Sequence, residues 1–127
     1  PEKGSALSKA VAILEELRPI TGNGVMVFRG ERTHSRPMSD AAINAALRAL
    51  GFSADEVTGH GFRATARTML VERLGVAESV VEAQLAHSVK DSLGRAYNRT
   101  EFIAERVAMM QLWADYLDQL RAEVPAH

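Results

Sequence analysis

Residues 59–74, Gly-His-Gly-Phe-Arg-Ala-Thr-Ala-Arg-Thr-Met-Leu-Val-Glu-Arg-Leu, are the stretch that decides the fold expected for this chain of 127 residues. Its apolar side chains recur at helical spacing and share one face, which carries Phe62, Ala66, Met69 and Leu70. Gly75 is the residue type that commonly follows the end of a helix. We therefore predict a helix from about His60 to Leu74, with this apolar face turned inward.

The same periodicity indicates four more helices. Including the helix over 60–74, the five predicted helices run over about 8–18, 43–51, 60–74, 77–86 and 100–121. Pro19 should end the first of them, because proline lacks the N–H that continues a helix. Ser39 and Asp40 are typical N-cap residues for the second, and Gly51 is suited to close it. The helix over 77–86 is expected to bury Val80, Val81 and Leu85.

Between the first two helices, Val25-Met26-Val27-Phe28 follows a Gly-Asn-Gly turn and reads as one short strand. Residues 29–37 are polar and basic without an apolar period, so we predict a loop. The chain is therefore expected to be mainly α, with about five helices and at most a short strand. Its length suits one compact domain or part of a larger one.

Composition excludes several classes of protein. With 46% hydrophobic residues and a net charge of −1, the chain is not intrinsically disordered. No apolar run approaches the ~20 residues that a membrane-spanning helix needs, and no leader pattern opens the sequence, so we expect a cytoplasmic protein without a membrane partner. The absence of cysteine excludes disulfides, thiolate metal sites and a cysteine nucleophile.

The charges are unevenly distributed along the chain. Residues 60–99 carry six basic and four acidic side chains, whereas residues 100–127 carry two basic and five acidic ones. A site for an anion is therefore expected in the middle third. A solvated surface of mixed sign is the alternative interpretation of the same charges.

The last predicted helix carries apolar residues on two neighbouring stripes. The first stripe consists of Phe102, Met109, Trp113, Tyr116 and Leu120, and the second of Ile103, Val107, Met110, Ala114 and Leu117. With Leu112 added, the apolar arc covers about 220°, roughly twice what a surface helix needs to dock on one core. Such a helix is either buried on two sides within its own domain or docks in part on a neighbouring subunit or domain.

Four residues could carry chemistry. His60 and Arg63 are spaced i, i+3 at the start of a predicted helix, where the side chains share a face and the helix terminus favours a phosphate. His87 closes the fourth helix and Tyr97 follows ten residues later. Taken singly, His87 suits a C-terminal helix cap and Tyr97 a packing residue.

Taken together, these residues suit attack of a tyrosine on a phosphodiester. A phenol with a pKa near 10 is a poor nucleophile, so cations and hydrogen-bond donors must surround the phosphate. Arg63 can bind two phosphate oxygens at once. His60 can accept the phenol proton or orient the phosphate, and His87 can donate to a phosphate oxygen. This set predicts metal-free phosphoryl transfer through a covalent phosphotyrosine.

Two other classes of function stay open at this point. One is a non-catalytic helical DNA-binding or assembly module that uses phosphate contacts from Arg29, Arg32, Arg36 and Arg67. The other is a metal hydrolase built on His60 and His87, for which Glu82 is the sole nearby carboxylate. Tyr116, on the stripe with Trp113, is expected to be a packing residue.

The order His60-x-x-Arg63, Leu85-Ala86-His87, Tyr97 resembles the C-terminal catalytic motif of the tyrosine recombinases, in the form found in prophage integrases of the phage P4 type. The similarity extends over about residues 5–121. It includes the segments 36–39, 43–51, 59–65, 81–87 and 109–117.

The resemblance implies a reaction. Tyr97 would attack a scissile phosphate in a double-stranded DNA attachment site, leaving a 3′-phosphotyrosine and a free 5′-hydroxyl, without metal or cofactor. Arg63 would be the second active-site arginine, with His60 and His87 beside it at the phosphate. We also expect DNA contacts from four basic residues, which are Arg36, Arg67, Arg95 and Arg99.

The resemblance also implies partners and missing parts. The last helix of such enzymes packs against an adjacent protomer, so we expect a homo-oligomer, a tetrameric synapse on DNA. A further catalytic arginine and a lysine lie upstream of the segment that this chain resembles, and Lys3 matches neither. Residues 1–127 are therefore expected to be the C-terminal portion of the catalytic domain, which alone cuts DNA poorly or not at all.

Overall fold

A computed structural model describes residues 4–86 and 102–125 of the chain. Within these residues lie five α-helices: α1 (Ala6–Thr21), α2 (Ala42–Ala49), α3 (Gly59–Thr68), α4 (Glu78–Gln84) and α5 (Ile103–Glu123). The mainly helical class is therefore confirmed. The chain divides into two compact units, and the boundary in sequence falls within α3: the first unit ends at Arg63 and the second begins at Ala64.

Helix α1 is longer than predicted at both ends. The Ser5 hydroxyl accepts a hydrogen bond of 3.0 Å from the Ser8 N–H and caps the helix. The expectation that Pro19 ends the helix is wrong, because Pro19 lies inside it. A proline in the last turn removes only one backbone hydrogen bond, and the Gly22 N–H still donates to the Arg18 carbonyl at 2.7 Å.

The prediction of a short strand over residues 25–28 is wrong. Among the described residues, the only bridge of this kind is an isolated antiparallel pair between Arg29 and Pro37. Val25, Val27 and Phe28 are all more than half exposed. A run of β-type residues needs a paired neighbour to form a strand, and here the chain turns back as a loop after only one bridge. The predicted loop over 29–37 is confirmed.

Helix α2 begins one residue earlier than the predicted range and ends two residues earlier, with Gly51 just beyond its C-cap. Ser39 and Asp40 do not cap it, because the backbone carbonyl of Ser39 accepts the Ala42 N–H in a preceding turn. At the other end Gly51 has φ of +96°. Its N–H donates to the Arg48 carbonyl, and the next N–H donates to the Leu47 carbonyl at 3.1 Å. This is a Schellman ending, which favours glycine at that position.

Helix α3 continues as a π-helical segment over Met69–Arg73. The Leu74 N–H bonds to the Met69 carbonyl, five residues back, at 3.0 Å. Gly75 then reverses the chain with φ of +66°, which confirms the predicted end of this helical run. The inward orientation predicted for Phe62 is wrong, since its surface is 57% exposed. The buried part of the run begins only at Leu70.

The hydrophobic core of the second unit is small. Leu70, Val80, Val81 and Met109 are buried, and Val81 is fully enclosed. Six partly buried side chains pack around them: Val71, Leu74, Val76, Leu85, Phe102 and Trp113. The predicted burial of Val80 and Val81 is confirmed, and Leu85 is half-buried. This core joins the π-helical segment, α4 and α5.

Helix α5 buries only Met109 of its first apolar stripe, and the other described members of that stripe are partly buried or exposed. Met109 is buried, and the Trp113 and Tyr116 rings lie 5.9 Å apart beside it. The Tyr116 hydroxyl lies 4.0 Å from the Met69 sulfur, which confirms Tyr116 as a packing residue. On the second stripe Ile103 is 53% exposed and Val107 67% exposed. Among residues 4–86 and 102–125, the helix is therefore not buried on two sides. None of the helices in the described part of the chain has the length and apolar character needed to cross a membrane.

The core residue Met109 and its exposed neighbour Met110 give a matched pair for a stability test. Met109→Ala is expected to lower the free energy of unfolding by about 2–5 kcal/mol, because it leaves a cavity in a core that has only four buried apolar side chains among the described residues. Met110→Ala should change it by less than about 1 kcal/mol, since Met110 is 37% exposed. Urea unfolding followed by the fluorescence of the single tryptophan, Trp113, measures both. Equal losses of unfolding free energy in the two variants would contradict the burial of Met109 in this core.

Candidate functional site

Two side chains hold the N-terminus of α3, the helix that carries His60 and Arg63. The Thr58 hydroxyl accepts a hydrogen bond of 3.0 Å from the Gly61 N–H, as an N-cap does. The Asn44 side-chain oxygen, from α2, accepts one of 2.8 Å from the Gly59 N–H. These two bonds satisfy N–H groups that a helix start leaves without internal partners. They therefore fix the first turn of α3 against α2.

Glycine at position 59 allows a close approach of α2. A Cβ atom there would lie 3.1 Å from the Ile43 side chain, which is tighter than ordinary van der Waals contact. The half-buried Arg48 adds a second link, because its guanidinium donates to the Val57 carbonyl just before α3. The roles of Asn44 and Arg48 are not apparent from the sequence, since each depends on a contact with a residue distant in sequence. Thr58 could have been found as an N-cap residue type directly before the helix.

His60 and Arg63 lie one helical turn apart at the start of α3, as their spacing predicts. His60 is exposed and Arg63 is half-buried. The helix dipole adds partial positive charge at this terminus. The arrangement can therefore present an imidazole and a guanidinium to an anion from one helix face.

The other two members of the predicted catalytic set, His87 and Tyr97, lie outside the described residues, as do the predicted DNA contacts Arg95 and Arg99. The structure does describe the approach to His87. Helix α4 ends at Gln84, and Ala86 adopts the left-handed conformation with φ of 53°. This turn redirects the chain directly before His87, so the helix predicted to reach residue 86 ends two residues earlier. The assembly of the four catalytic residues stays a prediction.

Arg36 lies on a cleft within the first unit. The cleft, of about 730 Å³, lies between residues 30–39 and the alanine-rich face of α2. Arg32 and Arg36 both line it and are exposed. The loop is held by a hydrogen bond of 2.8 Å from the Gly30 N–H to the Arg36 carbonyl. Two guanidinium groups on one held loop can bind phosphates of a nucleic-acid backbone.

Arg67, also predicted to contact DNA, is engaged by two carboxylates of α4. Its Nε donates to a carboxylate oxygen of Glu82 at 2.5 Å, and a terminal nitrogen donates to Glu78. The hydrogen bond with Glu82 raises the pKa of Arg67 above its usual value, and the charges of both glutamates add to this effect. Glu82 itself is buried. The sequence spacing of fifteen residues gave no sign of this ion pair.

A carboxylate also shapes the turn that leads into α3. The Ser53 N–H donates to a Glu56 carboxylate oxygen at 2.6 Å, the reverse half of a capping box. That hydrogen bond, followed by one with the Ser53 side chain and by the charge of Arg48, lowers the pKa of Glu56 below its ordinary 4.5, and desolvation only partly opposes them.

The lowered pKa of Glu56 predicts a dependence of stability on pH. Because the carboxylate is favoured in the folded state, its contribution is fully present above about pH 4.5 and is lost as the pH falls through the lower folded value. Glu56→Gln should therefore flatten the decline of the melting temperature below that pH. Asp55→Asn, at the neighbouring exposed carboxylate, is the control. A Glu56→Gln curve parallel to that of the parent would contradict this role.

Within residues 4–86 and 102–125, no three His, Asp or Glu side chains cluster in a way that could hold a metal ion. His87, one of the two histidines proposed for a metal site, lies outside these ranges.

The sequence is similar to those of several integrases. It is 41% identical to the integrase of Enterobacteria phage P4 over 115 residues, which is 89% of this chain and 26% of that protein. Identity to the prophage integrase IntA of Escherichia coli K12 is 41% over 106 residues, or 84% of this chain and 25% of IntA. The integrase of Shigella phage Sf6 is 34% identical over 93 residues, covering 73% of this chain and 24% of the relative.

These identities extend along most of the chain, and we therefore identify it as a relative of the phage and prophage integrases. The chain spans about a quarter of the length of the curated relatives it matches. No family model matches the chain. No solved structure matches it either.

Proposed function

We propose that these 127 residues are the C-terminal portion of the catalytic domain of a site-specific DNA recombinase of the tyrosine type. The parent protein would integrate or excise a prophage or a genomic island. The observation that supports this most strongly is the 41% identity to a phage integrase over a segment that includes His60 and Arg63 on one secured helix start.

The proposed reaction exchanges one phosphoester for another. The Tyr97 phenol oxygen attacks the scissile phosphorus of the DNA, and the bond from phosphorus to the 5′-oxygen breaks. The leaving oxygen takes a proton and becomes a 5′-hydroxyl, while the 3′-phosphate stays on Tyr97. The 5′-hydroxyl of a partner duplex then attacks the same phosphorus and returns the proton to Tyr97. The number of phosphoester bonds is unchanged, so the exchange requires no energy-supplying cofactor.

Each charged residue has a distinct role in this proposal. Arg63 binds two non-bridging oxygens and stabilises the charge that develops in the transition state. His60 accepts the phenol proton or orients the phosphate, and His87 donates to a phosphate oxygen. The fixed start of α3 suits such a task, because charge stabilisation depends on preorganised donors.

The proposed partners are double-stranded attachment sites and further copies of the protein. Exposed Arg36, on its held loop, would contact the DNA backbone, as would Arg95 and Arg99. The exposed stripe of α5 would dock on an adjacent protomer within a tetrameric synapse, in the cytoplasm and on the bacterial nucleoid. The 127 residues alone should react far more slowly, because the family's further catalytic arginine and lysine would come from the rest of the parent protein.

Covalent capture of DNA tests this proposal. We define the chimeric integrase as the phage P4 integrase in which the segment aligned with this chain is replaced by these residues. Incubated in EDTA with a nicked attachment-site duplex of that phage, it should form a covalent protein–DNA adduct, with the natural phage protein as positive control.

The rival functions give different results in the same assay. A non-catalytic DNA-binding module gives salt-dependent binding without an adduct. A metal hydrolase gives cleavage that EDTA prevents and leaves no protein on the DNA. Either result from a folded chimeric integrase that retains DNA would contradict the proposal.

A further inference from the structure

An ion-pair cluster joins the last turn of α3 to α4 within the second unit. It consists of Arg67 on α3 with Glu78 and Glu82 on α4. Arg67 donates from Nε to Glu82 at 2.5 Å and from a terminal nitrogen to Glu78. The Glu82 side chain is 11% exposed, whereas the side chains of Arg67 and Glu78 are 39% and 63% exposed.

The burial of Glu82 explains why Arg67 is required there. A carboxylate removed from water is tolerated only when it is paired and hydrogen-bonded. Glu78 and Glu82 lie four residues apart on one helix face and repel each other. The planar guanidinium of Arg67 supplies two donors in a fixed geometry. It therefore pairs the buried carboxylate of Glu82 and offsets the repulsion between Glu82 and Glu78. A DNA phosphate at Arg67 would have to compete with a buried carboxylate and would bring a third anion beside it.

The cluster is close in sequence to residues on which the proposed reaction depends. Arg67 follows Arg63 by one helical turn in α3, and Glu82 precedes His87 by five residues. Helix α4 is held from a second side as well, because Arg106 of α5 donates from Nε to the Gln84 side-chain oxygen at 2.8 Å. The chain then enters the left-handed turn at Ala86 that leads to His87.

We propose that Arg67 and Glu82 are positioning residues, which hold the last turn of α3 against α4 within the second unit and thereby fix the helix from which the chain continues to His87. This inference rests on the proposed recombinase function. It replaces the expected DNA contact of Arg67 with an internal role, and it assigns a role to Glu82 other than metal binding. A misplacement of about 1 Å in a catalytic group can slow a reaction by about a hundredfold.

The test measures the rate of adduct formation by the chimeric integrase at saturating DNA. Glu82→Gln removes the charge with almost no change of shape, and should slow the reaction at least about tenfold. Glu78→Gln, at the exposed partner, is the matched control and should stay within about threefold of the parent. The exchanged pair Arg67→Glu with Glu82→Arg should react faster than either single variant. Circular dichroism of each variant verifies folding.

DNA affinity separates positioning from a phosphate contact. If Arg67 positions α3, Arg67→Gln leaves the salt dependence of binding unchanged while the reaction slows. If Arg67 binds a phosphate, the slope of log affinity against log salt falls by about 0.9, and Glu82→Gln does not slow the reaction.

The possible failures are distinguishable. Two results overturn the positioning role alone. One is a Tyr97-dependent adduct that forms at the same rate in Glu82→Gln and in the parent, and the other is a reduced slope of log affinity against log salt in Arg67→Gln. If Glu82→Gln does not fold, the exchanged pair decides the test. An exchanged pair that forms the adduct no faster than the folded single variant, Arg67→Glu or Glu82→Arg, overturns the inference. An adduct absent from the parent chimeric integrase itself overturns the proposed function and this inference with it.

Discussion

Replacing Tyr97 with phenylalanine is expected to abolish the covalent adduct between the chimeric integrase and DNA. The phenol oxygen is the atom that forms the new bond to phosphorus, and phenylalanine has no atom to replace it. Loss of a covalent nucleophile lowers rates by a factor of at least about 10⁴. DNA binding should be retained, because the basic residues that hold the backbone are unchanged. Denaturing gel electrophoresis of labelled DNA measures the adduct, and filter binding measures the affinity.

Tyr116→Phe is the matched control, since Tyr116 is the only other tyrosine in the chain. Its hydroxyl lies 4.0 Å from the Met69 sulfur, at the limit of a weak hydrogen bond. The adduct should therefore form within about threefold of the parent rate. An adduct that persists in Tyr97→Phe, or that disappears only in Tyr116→Phe, would show that Tyr97 is not the nucleophile.

Replacing Arg63 with alanine is expected to slow adduct formation by at least about a hundredfold, with the DNA still bound. A preorganised charge contact in the transition state contributes about 3 kcal/mol, and Arg63 is proposed to make two such contacts with one phosphate. Arg63→Lys should recover only part of the rate, because an ammonium group cannot bind two oxygens in one plane. Single-turnover kinetics at saturating DNA separate this effect from binding.

Arg73→Ala controls for the loss of one positive charge from the same helical run. Arg73 is exposed and lies in the π-helical segment that follows α3. We expect its removal to weaken DNA binding slightly, through the general attraction of charges, and to leave the rate at saturation unchanged. Equal rates in Arg63→Ala and the parent would remove Arg63 from the catalytic set.

Features that depend on neighbours in sequence were predicted well. Gly51 and Gly75 were expected to follow helix ends, and both adopt positive φ there. The i, i+3 spacing of His60 and Arg63 required only that their segment be helical. By contrast, Pro19 was expected to end a helix that has only two more residues, and proline in a last turn costs little.

Features that depend on distant partners were not predicted. A strand over 25–28 required a paired neighbour, which local residue preferences do not reveal. The same limit applies to the pairing of Arg67 with Glu82, fifteen residues apart, and to the bond between Asn44 and the start of α3. Arg67 therefore read as a surface cation from its sequence context, although the fold gives it carboxylate partners.

The position of the DNA linkage tests the central claim most directly. After the adduct forms, nuclease trims the DNA and trypsin cleaves the protein after arginine, which places Tyr97 in the four-residue peptide 96–99 and Tyr116 in the peptide 107–121. Mass spectrometry should find a 3′-phosphonucleotide on the peptide 96–99, and the released strand should carry a free 5′-hydroxyl. A nucleotide on any other peptide, or a linkage through a 5′-phosphate, would contradict the proposed mechanism.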